Sequence, residues 1–389
     1  MAATIRSLMR FNVGLVNNTL LRNNVLNSCR FLYSEKSLGL NGYENARLNF
    51  RNQFLNVESD FRTKMQQICE TDSDSNMIFT EDLKSMLHLA QKKPEDIELI
   101  IKMLTKFNNQ NKQLRFGTFV FGPVVMRTFY YLDEPDLALT AFKDPQFEHF
   151  FNQLTSYQIL LTLLYKHKKY SEMRDVYDII KTKNMETGGY PINSSILIMA
   201  ACYKENTPET LEYALTLWKE LNEKGCQIMR RASTFVAALA IKQNSPHIAI
   251  EILSTLKEAR YIDVRCLKVV AYTDLKRFTE IVPILRASIE HDRPHLRKEC
   301  YFVDVIEKLE DVLTRENVPK DFELYKLIKI LKENNHMFQN ILDEHLCMEI
   351  NPLKRRLIDR DSDDPMKQRQ REFTSNRDIG ARPVLQNLL

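Results

Sequence analysis

Apolar residues return every three or four positions through most of this chain, the spacing of helices with one buried face. The clearest case lies near the middle. In the segment 214–225, Ala214, Leu217, Trp218 and Leu221 fall at i, i+3, i+4 and i+7, and Gly225 stands where a helix stops. Just before it, 192–202 is apolar and free of charge, suited to burial between neighbours, and Pro208 reopens a helix at its first turn. Together these make one helix-turn-helix unit. With Ala214 as a marker, equivalent second-helix cores recur at Ala138, Met173, Ala249 and Ile281, in steps of 35, 41, 35 and 32 residues. A near-constant period of this size predicts stacked supersecondary units. The step of 41 is assigned to a lengthened turn around Asn206-Thr207-Pro208.

The fold class expected is therefore all-α, an α-solenoid of stacked helix-turn-helix repeats with helical flanks. Residues 34–115 form an N-terminal helical region, in which 81–90 and 96–107 pair as a decayed extra hairpin. The repeat solenoid spans 116–290 and a C-terminal helical region spans 291–350. That last region reads as three helices, near 301–314, 321–333 and 337–348. From 351 to 389 charges alternate, as in Lys354-Arg355-Arg356 and Asp361-Ser362-Asp363-Asp364, and a disordered tail is expected. Only nine glycines and thirteen prolines occur in 389 residues, consistent with helices joined by short turns. No apolar run approaches the roughly 18 to 20 residues that a membrane-spanning helix needs.

Residues 1–33 differ from the rest. They carry Arg6, Arg10, Arg22 and Arg30, no acid, and an amphipathic scatter that includes Ile5, Leu8, Phe11 and Leu15. This is the pattern of an organelle import peptide, with processing expected within 30–34 and a mitochondrial matrix destination. An ordinary amphipathic helix is the alternative. The formal net charge of +4 belongs to this segment, since its four arginines leave 51 basic and 51 acidic residues behind. The remaining charge is uneven, with 22 basic and 17 acidic residues in 155–300 between mildly acidic flanks. Such an excess permits polyanion binding without requiring it. The seven cysteines are scattered and include no Cys-x-x-Cys pair, which suits buried thiols in a reducing compartment.

The repeat residues resemble the pentatricopeptide repeat family over about 120–290. The segment 214–225 is close to that family's second-helix signature, an Ala-Leu-x-Leu-aromatic run ending at Lys-Gly. Ser156-Tyr157-Gln158 stands where the family's first helix has Thr-Tyr-Asn, and Tyr170-Ser171-Glu172-Met173 opens the matching second helix. Tetratricopeptide hairpins share the period. Pro123 and Pro283 depart from the pattern, so the terminal units are read as caps. The resemblance implies first helices lining a concave groove for single-stranded RNA, each repeat reading one base with two or three side chains. On that register the first-helix readers are Gln158, Ser195 and Thr234, with Tyr190, Met229 and Tyr261 as their partners. None of the partners is Asn or Asp. A tyrosine there can stack on a base whereas a methionine only packs, so no base sequence is assigned.

Basic pairs in the turns are the candidate phosphate contacts: Lys166, Lys168, Lys169, Arg230, Arg231, Lys276 and Arg277, with Arg297 and Lys298 beside them. Each run taken singly suits a solvated turn. Tyr157, Tyr177 and Trp218 read as packing residues. His291, His295 and Cys300 have metal-like spacing, but Pro294 intervenes and no second Cys pair exists, so no metal is assigned. The acids Asp361, Asp363 and Asp364 lie in the charged tail rather than on a folded sheet, against a metal-dependent nuclease. No catalytic residue, cofactor or small-molecule substrate is expected. The function expected is a non-catalytic mitochondrial RNA-binding factor that supports RNA processing and, through it, the respiratory chain. Its partners would be single-stranded mitochondrial RNA, RNA-processing enzymes and the mitoribosome. The alternative is a protein-interaction scaffold of the matrix, associated with the mitoribosome.

Overall fold

The computed structural model describes residues 32–71, 76–114, 119–147, 150–186, 191–226, 228–256, 261–292 and 298–350. The expected tail of 351–389 and most of the expected import peptide lie outside the described residues. Leu32 and Tyr33, at the end of that peptide, lie inside them. The chain is an α-solenoid. Four helices come first: α1 (Leu40–Phe54), α2 (Glu58–Glu70), α3 (Thr80–Leu89) and α4 (Pro94–Leu114). Hairpins follow in series: α5 (Gly122–Leu132) with α6 (Pro135–Lys143), α7 (Leu154–Lys166) with α8 (Tyr170–Glu186), and α9 (Ile192–Glu205) with α10 (Pro208–Glu223). The series continues with α11 (Arg230–Lys242) and α12 (Pro246–Ser254), α13 (Ile262–Asp274) and α14 (Phe278–Glu290), then α15 (Val303–Arg315) and α16 (Glu323–Glu333).

The first helix of each hairpin packs on the first helix of the next, from α5 through α15. This explains their composition. Along α7 every residue from Ser156 to Tyr165 is buried except Gln158, and α9 is buried from Ser194 to Tyr203. Second helices bury a single stripe. The five marker positions Ala138, Met173, Ala214, Ala249 and Ile281 are all at most 1% exposed. Trp218 joins one unit to the next through an Nε1–H donated to Ser233 Oγ at 3.4 Å. Tyr157 and Tyr177 are buried in the same core. The pair α3 and α4 adds an extra hairpin before the series, since α3 packs on α5 as well as on α4.

The hairpin turns share one geometry. Asp133, Lys168, Asn206, Asn244 and Lys276 are left-handed, with φ between 54° and 60°, and each sits two residues before its second helix. In most of them the next amide reaches back five residues, as from Lys169 to Leu164 O at 3.0 Å and from Ser245 to Ala240 O at 2.8 Å, satisfying carbonyls at the helix end. At Asn206 the following Thr207 N–H instead donates to Thr210 Oγ1. The lengthened turn expected at Asn206-Thr207-Pro208 is therefore absent. Counted between these left-handed residues the steps are 35, 38, 38 and 32, so the extra residues lie in longer second helices, α8 with 17 and α10 with 16 residues, and the rest of the 41 is the offset of Ala214. Ala214 lies one turn further into its helix than the other markers, still on the buried face.

Two proline expectations also change. Pro123 occupies the first turn of α5, where a missing N–H costs nothing, and Pro283 lies inside α14 without ending it. The third C-terminal helix, expected near 337–348, is shorter. Met337–Phe338 forms strand β2, paired in parallel with β1 (Tyr301–Phe302), and only Leu342–Leu346 is helical, as α17. Buried His336 holds this segment extended: its carbonyl accepts from Tyr301 N at 2.8 Å and its Nδ1 contacts Glu299 O at 2.7 Å.

The fully buried alanines of the first helices let neighbouring backbones approach closely. Ala237→Leu is expected to overpack the stack and to cost about 1–3 kcal/mol, read as a lower urea midpoint by circular dichroism. An unchanged midpoint would mean the stack has room to spare.

Candidate nucleic-acid interface

One stripe of α11 carries Arg231, Thr234, Ala238 and Lys242 at helical spacing, and α9 presents Tyr203 and Lys204 beside it. Of these residues Tyr203, Ala238 and Lys242, together with Val270 of α13 and Lys308 of α15, line a cavity of about 190 Å³. The C-terminal segment bounds the other side with Leu342, Asp343 and Leu346. Asp343 accepts from Tyr203 Oη at 2.5 Å, Lys242 Nζ at 2.9 Å and Lys204 Nζ at 3.2 Å. Burial works to raise the Asp343 carboxyl, but the Tyr203 hydroxyl and the two ammonium groups outweigh it and hold it at about 2. The same burial and the facing carboxylate push the Tyr203 phenol up. Arg231 donates to His345 O and Met348 O, and Asp304 Oδ2 accepts from Leu342 N at 3.0 Å. Leu346 and Cys347 join the main core.

The two ends of the described chain meet beside this face. Ile350 N donates to Leu32 O at 2.7 Å, and Leu32 is fully buried. Tyr33 Oη donates to Asn193 O at 3.1 Å, and Arg127 of α5 donates to Leu38 O at 2.9 Å. First helices are thus overlaid by the first and last of the described residues, which the hairpin pattern gave no sign of.

The expected readers fall in different surroundings. Ten residues before each left-handed turn residue stand Pro123, Gln158, Ile196, Thr234 and Cys266, so Ser195 is one position off the common register. Gln158 is half-buried. Ser195 and Thr234 are buried, and Thr234 Oγ1 donates to Arg231 O at 2.9 Å. Neither offers an edge to a base in this arrangement. Tyr190 lies outside the described residues. Met229 and Tyr261 sit at the N-caps of α11 and α13, 39% and 43% exposed. The Arg230 guanidinium lies over the Tyr261 ring, 3.8 Å from its centroid. That pair is an open stacking surface of the kind single strands use.

Most of the expected phosphate contacts are engaged by acids of the adjacent unit. Lys166 Nζ pairs with Asp133 at 2.7 Å and Lys169 with Asp136 at 2.5 Å, while His167 shares Asp133. Burial opposes ionisation of Asp133, but Lys166 and His167 lower its carboxyl overall. Arg230 pairs with buried Asp263, Lys276 with Glu316 at 2.7 Å, and Arg277 with Glu280 at 3.0 Å. Lys298 donates to Asn334 O at 2.6 Å, and Arg297 lies outside the described residues. Lys168 is exposed and makes no ion pair among the described residues. The same bridging recurs between units in Arg174–Glu205, Lys181–Glu220 and Lys308–Asp274. The signal was available in the sequence: basic residues stand about one repeat length from an acid. Lys204 and Lys242 carried no such cue, because their partner Asp343 comes from outside the hairpin pattern.

Among the described residues no group of His, Cys, Asp or Glu is placed to hold a metal ion, and His291 Nδ1 instead contacts Ala287 O at 2.5 Å. No helix among them is long and apolar enough to cross a membrane.

The mouse mitochondrial pentatricopeptide repeat-containing protein 2 is 30% identical to this chain over 327 residues, covering 83% of each. The chain belongs to this family. The zebrafish (Danio rerio) relative of the same name is 28% identical over 346 residues, covering 88% of this chain and 87% of its own. The human one is 26% identical over 327 residues, covering 83% and 81%. No family model matches the chain. The relatives are named as mitochondrial proteins, and the shared spans of 327 to 346 residues are longer than the hairpin series alone.

Two outcomes follow from this geometry. Arg230→Ala leaves the buried Asp263 carboxylate without its ion-pair partner and is expected to cost about 2–3 kcal/mol. Lys168→Ala, at an exposed turn, is expected to change stability by less than about 0.5 kcal/mol; thermal unfolding of both variants checks the contrast. The Asp343 carboxyl titrates near 2, below its ordinary 3.8. Its contribution to holding α17 is therefore present above about pH 4 and is lost as pH falls through about 2. Carbon-detected NMR titration of Asp343 reads this directly, and an ordinary midpoint would show that the three donors do not converge on it in solution.

Proposed function

We propose that this chain is a non-catalytic RNA-binding factor of the mitochondrial matrix that supports maturation of organellar transcripts and thereby the respiratory chain. The observation that carries the reading is the continuous stack of first helices in a pentatricopeptide-type solenoid. Such a stack repeats side chains at a spacing that an extended single strand can follow. The 22 basic and 17 acidic residues of 155–300 add a modest attraction for phosphate. Recognition would be carried by stacking and backbone contact more than by base edges, because Ser195 and Thr234 are buried while Tyr261 is open beside Arg230. The action is passive. A strand held against the solenoid is shielded from nucleases and from refolding, or is presented to a processing enzyme. The import peptide ends before Leu32 on this reading, since Leu32 is packed in the core and its carbonyl is bonded to Ile350 N.

A second reading, a protein-interaction scaffold associated with the mitoribosome, is favoured by one observation. The first-helix face already holds a peptide, the chain's own 342–350.

Crosslinking followed by RNA sequencing in mitochondria separates the two. Mitochondrial transcripts are expected above background with the wild type, and Tyr261→Ala is expected to weaken binding by roughly 1–3 kcal/mol. Recovery of ribosomal proteins with no transcript above background would favour the scaffold. Amino-terminal sequencing of the protein purified from mitochondria is expected to find Leu32 retained.

A further inference from the structure

We propose that Tyr203, Lys204, Lys242 and Arg231 form a binding site for the phosphodiester backbone of single-stranded RNA, and that the chain's own C-terminal segment occupies it as an internal competitor. The inference rests on the RNA reading above and names the site and its control. Four hydrogen-bond donors from two successive first helices converge on one short segment. Three of them meet a single carboxylate: Tyr203 at 2.5 Å, Lys242 at 2.9 Å and Lys204 at 3.2 Å from Asp343. The fourth, Arg231, spans two main-chain carbonyls, those of His345 and Met348. A hydroxyl and two ammonium groups around one anion, with a guanidinium a few residues further along, are the donors that bind successive phosphates. Asp343 thus stands in for one phosphate, and the carbonyls of 345 and 348 stand in for the oxygens of the next.

The surroundings agree. Val270 and Ala238 give the adjoining cavity of about 190 Å³ an apolar floor. Lys308 stands at its far side, where Asp274 holds it at 2.7 Å. The segment itself is short, with only five residues in α17, and its apolar hold on the solenoid is buried Leu346 and Cys347 with partly buried Leu342 and Ile350. Its contacts with Tyr203, Lys204, Lys242 and Arg231 are ones that a polyanion would replace with contacts of the same kind, while the Leu342 and Ile350 amides, which donate to Asp304 and Leu32, would turn to water. Displacement then exchanges one set of charge-assisted hydrogen bonds for another, and the strand's further contacts have to outweigh the apolar burial of Leu346 and Cys347 for the balance to shift.

The test compares the full chain with Leu346→Ser, which loosens the segment without changing net charge. Both are titrated with a fluorescent oligouridylate while hydrogen exchange is followed at the amides of 342–350. Leu346→Ser is expected to raise exchange there and to tighten oligouridylate binding about tenfold. Adding Lys204→Gln and Lys242→Gln is expected to remove the gain and to flatten the salt dependence by about 1.4 in log–log slope, the value for two phosphates of a single strand. A freed segment with unchanged affinity, or a gain that survives loss of both lysines, overturns the proposal. Should Leu346→Ser fail to fold, the wild type decides: exchange at 342–350 must rise as oligouridylate binds, by the reciprocity of coupled equilibria. Binding with those amides still protected refutes the competition and leaves the RNA reading standing. No binding by either protein, with the segment shown to be free in the variant, refutes the RNA reading and the competition with it.

Discussion

Burial of the first helices on nearly every side is the constraint from which the rest of the architecture follows. A helix such as α9, apolar and uncharged from Ser194 to Ala201, cannot face water on any broad surface without losing much of the transfer energy that stabilises it. It therefore needs a first helix on each flank, a second helix behind and something across the remaining face. Hairpin repetition supplies the first three. The remaining face has to be covered from elsewhere, and segments on either side of the hairpin series do so. Leu32 and Leu38 come from one side, and Leu346 and Cys347 from the other. Covering the face is thus a packing requirement before it is anything functional.

Electrostatics follow the same repeat. Cations near the turns and on the second helices reach acids one unit away, as in Lys169–Asp136, Arg174–Glu205 and Arg286–Glu323. Each exposed pair stabilises by a fraction of a kcal/mol at most, but together they cancel the basic runs that a linear reading takes for phosphate contacts. Arg230 with Asp263 is different, because the carboxylate is 1% exposed and fixes the start of α13 against α11. The cations that remain grouped on one face are Lys204, Lys242 and Arg231, and they are turned toward the C-terminal segment rather than toward acids of the repeat itself.

Two apolar clusters divide the solenoid near α13. One runs from Leu32 to Ala271 and takes in Leu346 and Cys347, and the other from Cys266 to Leu331. Helix α13 contributes to both, so the last units are continuous with the rest while having their own core. The parallel pair β1–β2 and buried His336 belong to the second cluster's side, and they steer the chain from α16 back along the first helices.

The sequence by itself determined the helices, their pairing and their order. Periodicity depends only on which residues must leave water, and the five marker positions could be read from composition at fixed spacing. It also identified Tyr157, Tyr177 and Trp218 as packing residues. What it placed wrongly were quantities set by contacts between units. An alignment on Ala214 put the extra residues in a turn, whereas the common left-handed residue at each turn shows that they extend α8 and α10. The site was less legible than the fold. Lys166, Lys169 and Arg230 look free in a linear sequence because their acids lie a repeat away, and Thr234 looks available because a linear sequence does not show its burial. Asp343 stands 101 residues from Lys242 and 139 from Lys204. No local pattern encodes such a contact. Only the tertiary structure, by bringing 32–38 and 342–350 across the stack, decided which side chains of the first-helix face are engaged and by what.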